Sequence, residues 1–287
     1  MAARPRTLPA AVSPVIVGTA AAVSAADRLR VAPFIAALVG SVFIQVGTNL
    51  ANDYSDAKRG ADAADRLGPV RVTSSGLVAP RRVLVATWIA YGIAVAAGIY
   101  LTTVAGVVIV IAGIASIAAG VLYTGGPRPY GYEGLGELFV FLFFGLVAVN
   151  GSYYVQLEHL DWMPFGLSLA VGCLVTAILV VNNVRDLETD RRAGKLTLAV
   201  RLGRRRARAL YAALLATAFL ALPVTLLAAG GLEWGLLALA AAPLARRPLA
   251  AVMTRADGPS LNRALSDTGA LLAAFSVLLA AGLLIAS

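Results

Sequence analysis

Sulfur and imidazole are nearly absent from this chain, which has one cysteine, Cys173, and one histidine, His159. A single cysteine excludes a disulfide framework within the chain. Cys173 sits inside an apolar run and His159 in a polar connection, so neither has a catalytic partner nearby; both read as ordinary packed or solvated residues. Charge is scarce too, at 14% of the 287 residues. Apolar side chains take up the difference, at 59% hydrophobic residues and a mean hydropathy of +0.81. Soluble domains stay at about half apolar, so the composition is that of a polytopic membrane protein. The first apolar run, Leu8 to Ala26, follows Arg4 and Arg6. It continues to spanning length and reads as the first helix rather than a cleaved leader.

Crossing the hydrocarbon core takes about 20 apolar residues in a helix. Uncharged runs of that scale are Leu8–Ala26, Val31–Ala51, Leu138–Leu157, Trp162–Val184, Ala209–Leu232 and Thr268–Ser287. Val83–Pro127 is about twice that length and divides into two helices near Gly98–Gly106. Trp234–Ala245 is short and is cut off by Arg246, Arg247 and Pro248; it reads as a tilted or partly embedded helix. The expected fold is all-α: about nine transmembrane helices in one integral domain over residues 1–287.

With the N-terminus placed inside, 22 of the 24 Lys and Arg fall on inside segments, and only Arg28 and Arg30 fall outside. That asymmetry orients the chain with its N-terminus and longer loops cytoplasmic. The net charge of +9 follows from the same bias and does not call for a nucleic-acid partner. Bulk attraction to anionic lipid explains arginines. It does not explain acids among them, which are unfavourable at an anionic surface unless a cation joins them.

Two inside segments carry such acids: Asn49 to Asp62 (NLANDYSDAKRGAD), and Val181 to Lys195 (VNNVRDLETDRRAGK). Each begins where a helix emerges, and each places Asn four residues before Asp: Asn52 and Asp56, then Asn182 and Asp186. The offset suggests an internal repeat of roughly 1–127 and 128–287, with the two helix ends facing each other. Residues three or four apart share a helix face, so Asp53 with Asp56, and Asp186 with Asp190, form paired carboxylates. Such pairs repel one another near a bilayer unless a divalent cation joins them. Magnesium takes one or two carboxylates plus substrate phosphates, with Asn52 and Asn183 as further ligands or orienting groups. Arg185, Arg191 and Lys195 then suit the outer oxygens of a diphosphate. One such cluster alone would be explained by surface ion pairs worth about 0–1 kcal/mol; two on one side, at repeat-related helix ends, favour a clamp. Between them lies YTGGPRPYGYEGLGE, in which Tyr123, Tyr130 and Tyr132 can pack around a flat or isoprenoid substrate and Arg128 is the one cation.

These pieces, with RPRTLPAAVSPVIVG at 4–18 and DRLGPVRVTSSGL at 65–77, resemble the UbiA superfamily of intramembrane prenyltransferases, and within it the menaquinone branch. The resemblance spans most of the chain and implies nine helices around a central cavity capped by cytoplasmic loops. The family's first acidic motif, NxxxDxxxD, is matched at Asn52 and Asp56, but position 60 is Gly and the third acid is Asp62. The roles of Asp53 and Asp62 therefore stay open. The second motif, DxxxD, is matched at Asp186 and Asp190. By the same resemblance Arg6 and Arg128 contact diphosphate, with Lys58, Arg71 and Lys195 as weaker candidates.

The implied activity is magnesium-dependent transfer of a polyprenyl group from polyprenyl diphosphate to 1,4-dihydroxy-2-naphthoate in the cell membrane, with loss of diphosphate and carbon dioxide. Asp56, Asp62, Asp186 and Asp190 are the implied catalytic acids, and Asp53, Asp56, Asp186 and Asp190 the metal candidates. No protein base is singled out; Asp62 and the tyrosine hydroxyls are the available groups. Other UbiA branches acting on other aromatic rings are the nearest alternatives. A secondary transporter is the alternative outside the enzymes, but transporter sites lie near the midplane, whereas these acids lie at one face. The DGxxAR signature of the CDP-alcohol transferases is absent.

Overall fold

The computed structural model describes residues 4, 7–60, 67–68, 70–230 and 233–286, all helix and connection with no strand among them. The expected residues Arg6 and Asp62 lie outside the described residues. Among the described residues nine apolar helices run α1 Leu8–Ala26, α2 Val31–Lys58, α3 Pro80–Ala105, α4 Val107–Leu122, α5 Gly136–Leu157, α6 Trp162–Arg192, α7 Leu198–Ala229, α8 Glu233–Thr254 and α9 Gly258–Ile285. Eight are long and apolar enough to cross a bilayer; α4, with 16 residues, is shorter. The chain is a multi-pass membrane protein.

Local signals set several boundaries. Proline stands in the first turn of α1, α3 and α9, where its missing N–H costs nothing. Asp257 caps α9 by accepting the Ser260 N–H at 2.9 Å. The break between α3 and α4 falls on one residue, Gly106, at φ 76° and ψ −167°, a region that essentially only glycine occupies. Gly203, at φ 75° and ψ 159°, kinks α7 in the same way. Within α5, Phe141–Val147 winds as a π-helix.

Three helices differ from their apolar runs. α2 continues seven residues past Ala51 to Lys58, and α6 eight residues past Val184 to Arg192, so both acidic clusters ride on rigid helix ends rather than on loops. Trp234–Ala245 was expected to be a short, tilted or partly embedded helix, whereas Glu233–Thr254 is long and apolar enough to cross. Glu233–Ala245 is a 13-residue 3-10 helix; at roughly 2.0 Å per residue it covers about 26 Å, against about 20 Å for an α-helix of equal length.

α1, α6 and α9 make the centre. The main core includes Val17, Ala21, Leu167, Val171, Leu174, Leu271 and Phe275. Small residues allow close approach: a Cβ on Gly18 would collide with the Val149 carbonyl, and one on Gly282 with that of Trp234. A smaller apolar cluster of Leu101, Ala105 and Val155 joins α3 to α5, with Ala36, Ala37 and Ile109 packed on it. Beside it the chain between α1 and α2 is clasped to the end of α5. The Arg30 N–H donates to Gln156 Oε1 at 2.8 Å, the Gln156 amide returns a bond to the Arg30 carbonyl at 3.1 Å, and the Arg30 guanidinium pairs with Glu158 at 2.9 Å.

Candidate active site

The last three turns of α2 place Asn49, Asn52, Asp53 and Asp56 on one buried face. Asp56 is 1% exposed, and a lone carboxylate there would be costly. It is held from three directions. Its Oδ2 accepts from the Arg71 guanidinium at 2.6 Å and lies 3.1 Å from Lys195 Nζ. Its Oδ1 accepts from the Tyr132 hydroxyl at 2.6 Å. Lys195 Nζ also stands 4.8 Å from the centroid of the Tyr132 ring, a cation–π contact.

Asp53, one turn back, does something else. Its Oδ1 accepts the Thr73 N–H at 2.9 Å and its Oδ2 the Val72 N–H at 3.2 Å. These bonds tie the loop that carries Arg71 to α2. The expected Asp53–Asp56 pair is therefore split between two jobs: Asp53 holds backbone, and Asp56 lines the cavity.

The end of α6 brings Asn182, Asn183, Asp186, Thr189 and Asp190 to the same cavity. Asn183 donates to Glu137 Oε1 at 2.9 Å. Arg185 does not reach toward ligand. It is 2% exposed and grips Asp186 with two nitrogens, Nε to Oδ1 at 2.7 Å and Nη2 to Oδ2 at 2.5 Å. Its remaining bonds go to Asn182 Oδ1 at 2.8 Å and to Asn262 Oδ1 of α9 at 2.7 Å. Arg191 is exposed and pairs with Glu188 at 3.3 Å. The expectation that Arg185 and Arg191 meet a diphosphate is thus corrected: neither lines the cavity, because each is occupied by an acid on its own helix.

Of the residues singled out for substrate, Asn52, Arg71, Tyr123, Asn183 and Lys195 line the cavity, whereas Lys58 and Arg128 are exposed and do not. Sequence reasoning missed Thr124, whose hydroxyl donates to Asn52 Oδ1 at 2.8 Å, and Glu137, behind Asn183. An acid opening an otherwise uncharged run was a signal for Glu137. Nothing in the sequence pointed to Asn262, 77 residues from Arg185.

Tyr123, Tyr130 and Tyr132 all border the space. Burial is the largest cause raising each phenol above its ordinary pKa; the Glu137 charge adds to it at Tyr123, and the Asp56 charge at Tyr132. At neutral pH they are hydrogen-bond donors and apolar rings, not bases. Tyr130 stacks on Phe139 with centroids 4.0 Å apart.

The cavity holds about 470 Å³. Its charged end carries the groups above. Away from them it runs between α2, α3, α4 and α5 along Gly40, Gly98, Leu101, Ile109, Gly113 and Phe143. The arrangement suits an amphiphile with a polyanionic head and an apolar tail. The donor set is hard oxygen from Asp56, Asp186, Asp190, Asn52 and Asn183, with no sulfur or imidazole, which fits magnesium. No group of three or more acidic, His or Cys side chains is close enough among the described residues to hold a metal unaided, so a ligand's oxygens would have to complete the coordination. Thr197 adds a buried hydroxyl on the cavity wall that has no partner among the described residues.

Comparisons with known proteins agree with this geometry. Two curated relatives are named 1,4-dihydroxy-2-naphthoate octaprenyltransferase. The one from Mycobacterium tuberculosis is 45% identical over 93% of this chain and 90% of its own. The one from Escherichia coli is 39% identical over 94% and 90%. Two solved structures share the fold. A UbiA homolog from Archaeoglobus fulgidus, bound to DMAPP and Mg2+, superposes with a TM-score of 0.65 at 15% identity, over 99% of this chain and 98% of its own. The apo structure of a UbiA homolog from Aeropyrum pernix gives 0.68 at 17% identity, over 96% and 97%. The model of the UbiA prenyltransferase family matches residues 11–275, and the chain belongs to that family.

Proposed function

We propose that this protein transfers a polyprenyl group from polyprenyl diphosphate to 1,4-dihydroxy-2-naphthoate, releasing diphosphate and carbon dioxide to give demethylmenaquinol. The observation that carries the reading is the cavity itself: carboxylates from two opposed helix ends at one pole, an apolar channel at the other. The names of the relatives supply the acceptor and make an octaprenyl donor the first to try.

Asp56, Asp186 and Asp190 would hold Mg2+, with Asn52 or Asn183 beside them. Bound there with the diphosphate, the metal neutralises charge that grows on the leaving group. The chain's own residues do the rest. Lys195 and Arg71, already at the cavity's charged end, offer donors to phosphate oxygens. Tyr132 fixes one oxygen of Asp56, so that the carboxylate is oriented before substrate arrives. Arg185 does the same for Asp186 from behind. When the allylic C–O bond breaks, its electrons leave with diphosphate and a carbocation remains. Phe139, Phe143 and the tyrosines line the space around it, and the apolar walls keep water from quenching it. The electron-rich ring attacks, a C–C bond forms, and the carboxyl group departs as carbon dioxide. The chain works in the cell membrane with its N-terminus and charged loops cytoplasmic, as the distribution of Lys and Arg supports.

The test uses purified protein in lipid with magnesium. Dihydroxynaphthoate is compared with 4-hydroxybenzoate, across prenyl diphosphates of several lengths. Decarboxylated prenyl-naphthoquinol, identified by mass, is the expected product. Preference for hydroxybenzoate, or uptake of unmodified substrate into vesicles, would overturn the reading. Asp56→Ala and Asp186→Ala are each expected to abolish transfer while the protein still inserts; wild-type turnover in either variant removes the clamp.

A further inference from the structure

A second charged notch, of about 410 Å³, lies outside the reaction cavity between the end of α8 and the start of α9. Arg247, Ala251 and Arg255 line it from α8 and the residue that follows it, one turn apart; Ser260, Arg263, Ala264 and Asp267 line it from α9. Each set lies on one helix face, and the alanines leave room between the charges. None of the three arginines makes a salt bridge with a described residue. The residues lining the notch carry three positive charges and one negative, and Asp257 beside it offsets part of the Arg255 charge.

Helix lengths fix the depth of this notch. The 3-10 stretch Glu233–Ala245 alone covers about 26 Å. In α9 the residues after Asp267 are uncharged to Ile285 and cover about 27 Å. Each nearly fills a hydrocarbon core of about 30 Å. The charged remainders, Arg246–Thr254 and Gly258–Asp267, therefore stand in the headgroup layer, and what faces the notch from outside is lipid headgroup. The side of the membrane is set by Asn262, next to Arg263, which bonds Arg185 at the charged end of the reaction cavity.

We propose that this notch is a binding site for an anionic glycerophospholipid of the leaflet that faces the active-site loops. The arginine forks take the phosphodiester oxygens, and Asp267 and Ser260 meet hydroxyls of the headgroup. Asp267 also disfavours a doubly charged phosphate, so a phosphodiester of single charge fits best.

The full-length protein is placed in neutral phosphatidylcholine nanodiscs and titrated with phosphatidylglycerol, phosphatidylethanolamine or inorganic phosphate. Retention through delipidation, by native mass spectrometry, and thermal stability are read together. Phosphatidylglycerol is expected to be retained and to raise Tm, and the other two are not. The double variant Arg247→Gln/Arg263→Gln loses retention by about tenfold or more, while prenyl transfer in the neutral nanodisc is unchanged. Arg246→Gln, which removes an adjacent exposed charge outside the notch, leaves retention intact. Equal retention in the double variant and wild type overturns the site. So does equal loss in Arg246→Gln, which would mean bulk surface charge. Protection by phosphate alone would point to a soluble anion, and equal retention of phosphatidylethanolamine would remove the selectivity; either overturns the lipid assignment.

Discussion

Tyr132 connects the two halves of the site, because its hydroxyl reaches Asp56 and its ring lies under Lys195. A hydrogen bond to a charged group is worth about 1.5–3 kcal/mol. Tyr132→Phe is therefore expected to lower kcat/KM by roughly ten- to a hundredfold, with insertion unchanged, in a steady-state assay. Its phenol is pushed up by burial and by Asp56, so the proton stays on as pH rises past the ordinary tyrosine range and is lost only above the raised value. The pH profile of the wild-type enzyme should show no tyrosine limb below pH about 10. Arg185 offers a sharper test. Arg185→Lys keeps the charge but loses the two-pronged grip on Asp186; residues that orient metal ligands typically govern metal affinity by 10–100-fold. The magnesium concentration for half-maximal rate should rise by about that factor, and direct metal binding should weaken in parallel. A variant with wild-type magnesium dependence would leave Arg185 with packing alone. Spacing along a helix shows which acids share a face. It does not show what approaches that face from far along the chain. That is why Asp56 and Asp186 were legible in the sequence, while the loop-holding bonds of Asp53 and the inward turn of Arg185 were not.

Glycines decide how closely the elements pack. α9 passes the start of α8 at Gly282, where a side chain would run into the Trp234 carbonyl. Overpacking of this kind costs about 1–3 kcal/mol. Gly282→Leu should lower the thermal midpoint of the purified protein measurably and displace α8, while Gly113→Ala, with nothing within 4 Å of its Cβ position, should not. The same element shows where reading by run length falls short. Twelve apolar residues cannot span as an α-helix, so Trp234–Ala245 looked partly embedded; 3-10 winding lengthens it, and Glu233–Thr254 as a whole reaches spanning length. Hydropathy reports how many residues are apolar, not their rise per residue. Other elements were legible because the sequence punctuates them: α1 has the expected limits, and the long run from Val83 divides at Gly106, within the expected interval.

Across the whole molecule, the cavity grades from carboxylates and cations at one membrane face to aliphatic walls within the bundle. α4 is the lightest wall, burying only Ala119 and Gly120 of its 16 residues. Gly113 lies on its cavity side with open space where a side chain would be. Gly113→Phe should therefore shift preference toward shorter prenyl diphosphates, seen as a rise in KM for the octaprenyl donor with little change for a short one. An unchanged length profile would mean that the tail takes another course. Composition and charge placement let the polarity of this arrangement be expected from the sequence, which assigns 22 of the 24 basic residues to one side. The wall that meets the tail carries no charge and left no such trace. At the other end of these helices, the Leu101–Ala105–Val155 cluster and the Arg30–Gln156 clasp tie α3, α5 and the connection between α1 and α2 together. That tie uses Arg30 and Gln156, which do not line the cavity, so it can be loosened by substitution without touching any group of the charged end.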